Sequence, residues 1–476
     1  MPSETSNGND RAPLDGLDGP YSAQRPLPYH RLMSSRDNRI ASLRRRASTI
    51  VERRRNEGHR GAGDGTDDGL PPGDLEPLDV LEKTDRTVLV QRADRLGPVF
   101  KGLIRDEPTV CVVGLARCRR FLKDHAGSLE VGTLDLTGLF PGGFLRAMHG
   151  EVHLDYRRWL VRAVRTADGD VSLDEFEELA TNELRRHAAA GAVDDGHRPE
   201  TWTATMSTIA TGMLVRSFFG APAGSALHAS LVDGFRDLGP FGLVWHPQQR
   251  QHDAFDRLSS DLRSELVALH DGRSEMSPTC LLATIADNGD LDDTMLGNLI
   301  YMVEMGRSDI QNFLRWLSRY TASDPALCDA IARNEPRPGD RSLEEALVLE
   351  VLRADQSERL ERRLTEDVVF EGFRLPAGTP IRLCMWESHH DPDVFTEPFS
   401  FTPERFVAAS PANDHFAPFG LDHHQCPFGA LTMHIGTTFV RSLSAFRPTL
   451  LADGPPRRGP YHWEPSRLLS VGLEQR

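Results

Sequence analysis

The sequence predicts one large, mainly helical domain with small β-sheets, preceded by a polar N-terminal extension. Between about residues 115 and 355, apolar side chains recur at the three- and four-residue spacing of helices. Strand-like segments lie on either side, at 98–113, which is typical of a hairpin, and at 366–385. The 476 residues contain no internal repeat. We therefore expect a single α+β domain over residues 78–476.

Residues 1–77 are predicted to be an extension and a linker outside this domain. The polar, Pro- and Gly-rich residues 1–30 are typical of disorder, and the string GAGDGTDDGLPPGD within 56–77 is typical of a linker. Between them, residues 38–55 have the pattern of a short basic amphipathic helix. This helix either contacts an acidic surface, such as a membrane face or a partner protein, or is simply solvated. We favour the solvated helix.

Composition excludes several classes of protein. The net charge of −15 argues against general nucleic-acid binding, and residues 31–60, with ten arginines, form a local basic stretch. The six cysteines are scattered and form no CxxC pair, which predicts a reduced, cytoplasmic protein. No secretory signal and no apolar run long enough for a transmembrane helix is found, so a soluble protein is expected.

Two predicted helices carry polar side chains of interest. The longer covers residues 292–320, and Asp292 or Asp293 is its expected N-cap. The second has the sequence LEEALVLEVLRAD and places Glu350 and Arg353 on one face, because residues three apart are neighbours on a helix. By itself this pair is a weak signal, since Glu/Arg pairs at this spacing are common on surfaces.

The segment FAPFGLDHHQCPFG, residues 416–429, is the strongest signal for chemistry. Pro427 suits the first turn of a helix, where its missing N–H costs nothing, so Cys426 is predicted at a helix N-terminus. The unpaired N–H groups and the helix dipole favour an anionic sulfur there. A zinc site made of Cys426 with His423 and His424 is disfavoured, because these ligands are too close in sequence and no second pair lies at ligand spacing.

Four segments together resemble the cytochrome P450 family. The ExxR pair is followed by HHDPDVFTEPFSF at 389–401, by the rare string FTPERF at 401–406, and by a loop with Phe, Gly and a basic residue before Cys426. The resemblance covers about residues 85–470. It implies the cytochrome P450 fold, with haem b (iron protoporphyrin IX) between the oxygen-site helix and the cysteine loop. A thiolate ligand there pushes electron density onto the iron.

The resemblance also implies roles for individual residues. Cys426 is the axial ligand of the iron. A triad of Glu350, Arg353 and Arg405 braces the structure beside the cysteine loop. The expected haem contacts, four of them to the propionates, are His153, Arg157, Arg362, His424 and Phe419, with Arg158 as an alternative to Arg157.

The cysteine loop departs from the family pattern at two positions. Asp422 stands four residues before Cys426, where the family usually has Gly. Phe428 stands two residues after it, where Gly is again usual, and Gly429 follows one step later. These changes predict a differently built turn and a more crowded haem face.

The oxygen site departs from the family pattern as well. Aligned on Gly306 and Trp316, the family's A-G-x-acid-Thr string corresponds to Met305 through Asp309, with Ser308 at the acid position and Asp309 at the Thr position. We predict Gly306, Ser308 and Asp309 as catalytic residues, with Ser308 and Asp309 relaying protons and a desolvated Asp309 raised in pKa. Alternatively, Asp309 anchors a basic or hydroxyl-bearing substrate, or the alignment is shifted by one residue and Ser308 only packs.

The function implied by the resemblance is haem-thiolate monooxygenation of a small organic molecule in secondary metabolism. Electrons are expected from a ferredoxin and its NAD(P)H-dependent reductase, since no fused redox domain is evident. Phe144 and Leu145 are candidate substrate-pocket residues, with plain core packing as the alternative. Two other functions stay open: a peroxide-driven or redox-neutral enzyme, suggested by the exchanged Ser308 and Asp309, and an inactive partner protein.

Overall fold

The computed structural model describes the part of the chain that carries the candidate site. The described residues are 69–131, 139, 141–167, 173–193, 198–239, 249–335, 339, 341–355, 359–408, 415–459 and 462–476. They belong to one compact unit, Ala62–Arg476. The predicted basic helix at 38–55 lies outside the described residues, and the domain boundary at residue 78 stays a prediction.

Helices form most of the described chain, which confirms the predicted mainly helical fold. In chain order they are α1 (Leu78–Leu81), α2 (Val88–Leu96), α3 (Leu115–Asp124), α4 (Gly150–Ala167), α5 (Leu173–Val193), α6 (Pro199–Phe219), α7 (Ala226–Leu238), α8 (Gln249–His270), α9 (Leu281–Asp287), α10 (Asp293–Ser323), α11 (Pro325–Ala332), α12 (Leu343–Ala354), α13 (Met385–Ser388) and α14 (Gly429–Ser444). Among these helices, none is both long enough and apolar enough to cross a membrane.

The strands form one mixed sheet and three two-stranded sheets. They are β1 (Val99–Ile104), β2 (Glu107–Val113), β3 (Leu129–Val131), β4 (Leu360–Leu364), β5 (Val368–Phe370), β6 (Phe373–Leu375), β7 (Pro380–Cys384), β8 (Phe446–Ala452), β9 (Arg457–Arg458), β10 (Trp463–Glu464) and β11 (Ser470–Gln475). The mixed sheet has the order β1-β2-β7-β4-β3, and the pairs are β5–β6, β8–β11 and β9–β10.

The predicted hairpin is confirmed by the antiparallel pairing of β1 and β2, in which Val99 faces Val112. Arg105 and Asp106 turn the chain with positive φ angles of 53° and 60°. This left-handed pair is typical of the tightest hairpin turns, because its twist matches that of the strands. The chain ahead of α1 lies beside the hairpin, since the N–H of Lys101 in β1 donates to the Pro72 carbonyl at 2.9 Å.

Helix α10 is the centre of the helical core. The Asp292 side chain accepts a hydrogen bond from the Met295 N–H at 2.7 Å, which confirms the predicted N-cap. The helix packs on α6, whose second half is buried on every side. It also contacts α14 at Gly436, where an added Cβ would lie 2.9 Å from the Phe313 ring. Gly at this position therefore allows the two helices to approach closely.

Candidate active site

Cys426 differs from the other cysteines by its exposure. Its side chain is exposed, whereas the other five are buried. Its backbone N–H donates to the Phe419 carbonyl at 2.8 Å, which closes the loop ahead of α14. Pro427 was predicted in the first helical turn, but α14 begins at Gly429. The reason is that the Phe428 carbonyl is the first to accept a helical bond, from the Thr432 N–H, so Pro427 precedes the N-cap.

Asp422 takes a backbone conformation that normally favours glycine. Its φ is 62°, in the left-handed region, which explains why the related loops have Gly there. Asp is among the few other residues that tolerate this region, because its short side chain bonds locally. Here Oδ1 accepts from the His424 N–H at 2.8 Å, and Oδ2 lies 3.5 Å from Arg362 Nη2. The turn keeps a left-handed geometry that Asp422 itself stabilises.

Replacing Asp422 by Ala is expected to lower the free energy of unfolding by about 1–2 kcal/mol. Ala retains the cost of a Cβ in the left-handed region and loses both side-chain contacts. Asp422→Gly loses the same contacts but removes the steric cost, so its effect should be smaller. Urea denaturation of the full chain measures both variants. Equal destabilisation by Ala and Gly would show that backbone strain at this position is unimportant.

The Phe428 ring packs away from the loop. Its centroid lies 4.8 Å from that of Phe218 on α6. Gly429 makes room for Phe419 of the loop, because a Cβ at Gly429 would lie 3.0 Å from the Phe419 ring. The second departure from the family pattern is thus accompanied by a glycine shifted by one residue.

Basic side chains from α4 and β4 converge on the same loop, which itself carries His424. His153 of α4 stacks on His424 with ring centroids 4.4 Å apart, and Arg157 Nη2 donates to the Gln425 carbonyl at 2.8 Å. Arg362 of β4 approaches from the other side through Asp422. Burial, followed by the charges of Arg362, His153, Arg157 and Arg146, lowers the pKa of His424 to about 3. The cluster is thus electropositive and suited to an anionic ligand.

Arg157 and Arg158 are distinguished by their surroundings. Arg157 reaches the cysteine loop, whereas the Arg158 side chain is 65% exposed and pairs with Asp155 on its own helix. The structure therefore brings Arg157 to the loop. Its role as a propionate ligand stays a prediction.

The predicted triad is assembled in the structure. The guanidinium of Arg353 donates two hydrogen bonds to the Glu350 carboxylate, each at 2.7 Å, and both side chains are fully buried. Arg405 Nε lies 3.1 Å from Glu350 Oε2. Arg353 also donates to the carbonyls of His389 at 3.0 Å and Pro398 at 2.8 Å. This network fixes the backbone that leads towards the cysteine loop.

The predicted pocket residues Phe144 and Leu145 lie against α10. Asn298 accepts from the Leu145 N–H at 2.7 Å and donates to the Gly143 carbonyl at 3.0 Å, which clamps the segment to the helix. The Phe144 ring meets Tyr301 edge-on, with centroids 4.6 Å apart. Both residues are buried. Their contact with a substrate stays a prediction.

The three predicted catalytic residues of α10 point in different directions. At about 100° per residue, Ser308 lies about 20° from Tyr301 around the helix axis, whereas Asn298 lies about 80° from Ser308. Gly306 instead faces α6, where an added Cβ would lie 3.5 Å from Leu214 Cδ1. Asp309 lies at the edge of the Ser308 face, and its Oδ1 is 3.5 Å from Nδ1 of His462.

Two histidines beside these groups were missed by the sequence analysis. His462 is buried, and its pKa falls to about 3 through burial and the nearby Arg458 and Arg457. His389 is buried beside the triad, and its Nε2 accepts from the Ala417 N–H at 3.0 Å. The HHDP string pointed to the neighbourhood of His389 but not to its partner. No local pattern marked His462.

Known proteins of one family resemble this chain in sequence and in fold. The cytochrome P450 family model matches residues 340–460. Abscisic acid 8'-hydroxylase 2 of Oryza sativa subsp. indica is 24% identical, over 80% of this chain and 81% of its own length. Abscisic acid 8'-hydroxylase 1 of Arabidopsis thaliana is 28% identical, over 75% of this chain and 81% of its own length.

Two solved structures show the same fold. Cyanobacterial CYP120A1 bound to retinoic acid has a TM-score of 0.66 and 20% identity, over 86% of this chain and 99% of its own. A zebra fish cytochrome P450 with progesterone has a TM-score of 0.63 and 18% identity, over 82% of this chain and 99% of its own. These likenesses confirm the predicted fold around the cysteine loop and α10.

Proposed function

Because this chain belongs to the cytochrome P450 family of haem monooxygenases, we propose that it oxidises a small organic molecule of secondary metabolism with O2. Electrons come one at a time from a ferredoxin and its NAD(P)H-dependent reductase. The observation that carries this proposal is the exposed Cys426 thiol beside an electropositive cluster, in a loop that leads into α14, which packs on the helix that bears Ser308 and Asp309.

The residues around Cys426 fit the family's haem b. Cys426 would hold the iron, since its thiol is exposed in a loop that leads into a helix N-terminus. His153, Arg157, Arg362 and His424 would hold the propionates, because carboxylates relieve the repulsion within that cluster. Bound haem supplies the oxygen-activating chemistry. The protein supplies orientation, shielding from water and proton delivery.

Proton delivery is assigned in this proposal to Ser308 and Asp309. A carboxylate and a hydroxyl on successive residues can pass a proton between them or through a water. Asp309 is 42% exposed and can therefore exchange protons with solvent. The neutral His462 can donate one ring N–H to the Asp309 carboxylate and so orient it. Ser308 and Asp309 then still provide a proton relay, although they stand in the opposite order to the family's acid and alcohol.

The surface around the loop supports delivery of electrons by a separate protein. Helix α4 contacts the cysteine loop through Arg157 and exposes Arg158 and Arg165 to solvent. Exposed arginines on a helix that contacts the loop suit an acidic electron carrier such as a ferredoxin, because complementary charge speeds encounter. All six cysteines are free, as expected in the reducing cytoplasm that we propose as the location.

A second candidate function is peroxide-driven oxidation. One observation favours it. Asp309 stands at the family's Thr position, and its carboxylate contacts His462. The two functions differ in their oxidant. Purified protein is incubated with retinoic acid, progesterone or abscisic acid, either with ferredoxin, reductase and NADPH or with hydrogen peroxide alone. Product formed only with the ferredoxin system supports the proposal, whereas product formed only with peroxide supports the second candidate.

Asp309→Asn is expected to lower ferredoxin-supported turnover by about 10²-fold or more, because the amide cannot relay a proton. Asp309→Glu should retain more activity, and Ser308→Ala tests the second member of the relay. Product formed per NADPH consumed is the measurement, with the spectrum of the carbon monoxide complex as a control for haem binding. An Asp309→Asn enzyme with unchanged turnover and unchanged yield per NADPH would exclude this relay.

A further inference from the structure

His389 connects two parts of the site that lie apart in the sequence. It directly follows α13, and its residue is fully buried. On the side of the loop, its Nε2 accepts a hydrogen bond from the Ala417 N–H at 3.0 Å. Its ring also packs near Phe416, with centroids 5.3 Å apart. The side chain therefore fixes the chain where the cysteine loop begins.

The backbone of His389 is fixed from the other direction by the triad. Its carbonyl accepts from Arg353 Nη1 at 3.0 Å, and Arg353 is held by the buried carboxylate of Glu350. His389 thus accepts one hydrogen bond from the triad at its main-chain carbonyl and a second from the loop at its side chain. Phe416 also contacts Phe406 of the PERF segment, with centroids 5.1 Å apart, so the loop is held at a second point.

We propose that His389 is a positioning residue, which couples the Glu350–Arg353–Arg405 network to the cysteine loop and thereby holds Cys426 where haem iron binds. The inference rests on the proposed role of Cys426 as the iron ligand. Losing the bond would leave the Ala417 N–H buried without an acceptor, and a buried donor without a partner is costly. The loop would relieve that cost by moving, and Cys426 would move with it.

The coupling requires a neutral imidazole at position 389. An imidazolium has no lone pair with which to accept from Ala417. Burial, followed by the charge of Arg353, lowers the pKa of His389 to about 3. Among the other charged groups at this point, the Glu350 carboxylate pairs with both Arg353 and Arg405. The adjacent His390 is also held neutral by burial. The acceptor is therefore present throughout the neutral pH range.

His390 offers a matched control. It is the same residue type, it is the next residue in the chain, and it is also buried. Its Nδ1 bonds to the Trp386 carbonyl at 2.7 Å, and its ring packs on Trp386 and Phe399. Loss of His390 should therefore disturb α13 and its surroundings, whereas loss of His389 should disturb the cysteine loop.

The test compares His389→Leu, His389→Gln and His390→Leu in the full-length haem protein. Two quantities are measured: the ratio of red-shifted to unshifted Soret band in the reduced carbon monoxide complex, and the rate of haem transfer to apomyoglobin. His389→Leu should increase the unshifted fraction several-fold and speed haem loss by about tenfold. His389→Gln should stay close to wild type, because its amide oxygen can accept from Ala417. His390→Leu should lower the melting temperature without changing the band ratio.

Several outcomes would overturn the proposal. A wild-type band ratio and haem-loss rate in His389→Leu would do so, as would an equal change in His390→Leu, which would indicate general destabilisation. Where the Leu variant does not accumulate, His389→Asn replaces it, since its shorter amide stops short of Ala417. A wild-type protein without a red-shifted band contradicts the proposed function instead. In that case the coupling is tested by hydrogen exchange of the Ala417 amide. Unchanged protection of this amide in the His389 variants would exclude the coupling.

Discussion

Cys426→Ser is expected to abolish the red-shifted Soret band of the reduced carbon monoxide complex. The shift requires a thiolate ligand, and a serine hydroxyl does not ionise near neutral pH as a thiol at a helix N-terminus can. The Cys426 side chain is exposed, so the substitution removes little packing and should change stability by no more than about 0.5 kcal/mol. The variant should therefore fold normally and lose the spectrum and the activity together.

The control for this experiment is a cysteine far from the loop. Cys328 of α11 is buried near Arg476, and Cys328→Ser should keep the full red-shifted band. Circular dichroism and thermal melting establish that both variants are folded. A wild-type protein with no band at all would favour the inactive partner protein over the monooxygenase. A full band in Cys426→Ser would mean that another residue binds the iron.

Glu350→Gln is expected to destabilise the protein by about 3–5 kcal/mol. The substitution keeps the shape of the side chain but leaves the fully buried guanidinium of Arg353 without a counter-charge, and Arg405 loses the same partner. Domains are stable by only about 5–15 kcal/mol, so a loss of this size leaves little folded protein at elevated temperature. In any folded fraction, the reduced carbon monoxide complex should show more of the unshifted Soret band, because the same network supports His389.

An exposed ion pair at the same spacing provides the comparison. Asp233 and Arg236 lie on one face of α7 and are 65% and 69% exposed, so Asp233→Asn should cost less than about 1 kcal/mol. Urea denaturation at neutral pH measures both variants against wild type. If Glu350→Gln unfolds within 1 kcal/mol of wild type, the buried network is not the brace that its geometry indicates.

Several parts of the fold were predictable from the sequence because their causes are local. Helix α10 and its cap at Asp292 follow from apolar spacing and one side chain that accepts from a nearby N–H. The β1–β2 hairpin follows from two β-rich runs around a short turn. Glu350 and Arg353 pair because residues three apart share a helix face, and the resemblance correctly placed Arg405 beside them.

Other features were decided only by tertiary structure, because they join residues that no local rule relates. His389 bonds to Ala417 across 28 positions of the chain, and His462 meets Asp309 from the C-terminal segment. The start of α14 at Gly429, rather than at Pro427, depended on which carbonyl accepts the first helical bond. The sequence by itself determined most of the elements and predicted which residues would carry chemistry, with the exception of the two histidines. Packing decided which of those residues face one another, since contact free energy depends on distances that propensity and spacing do not encode.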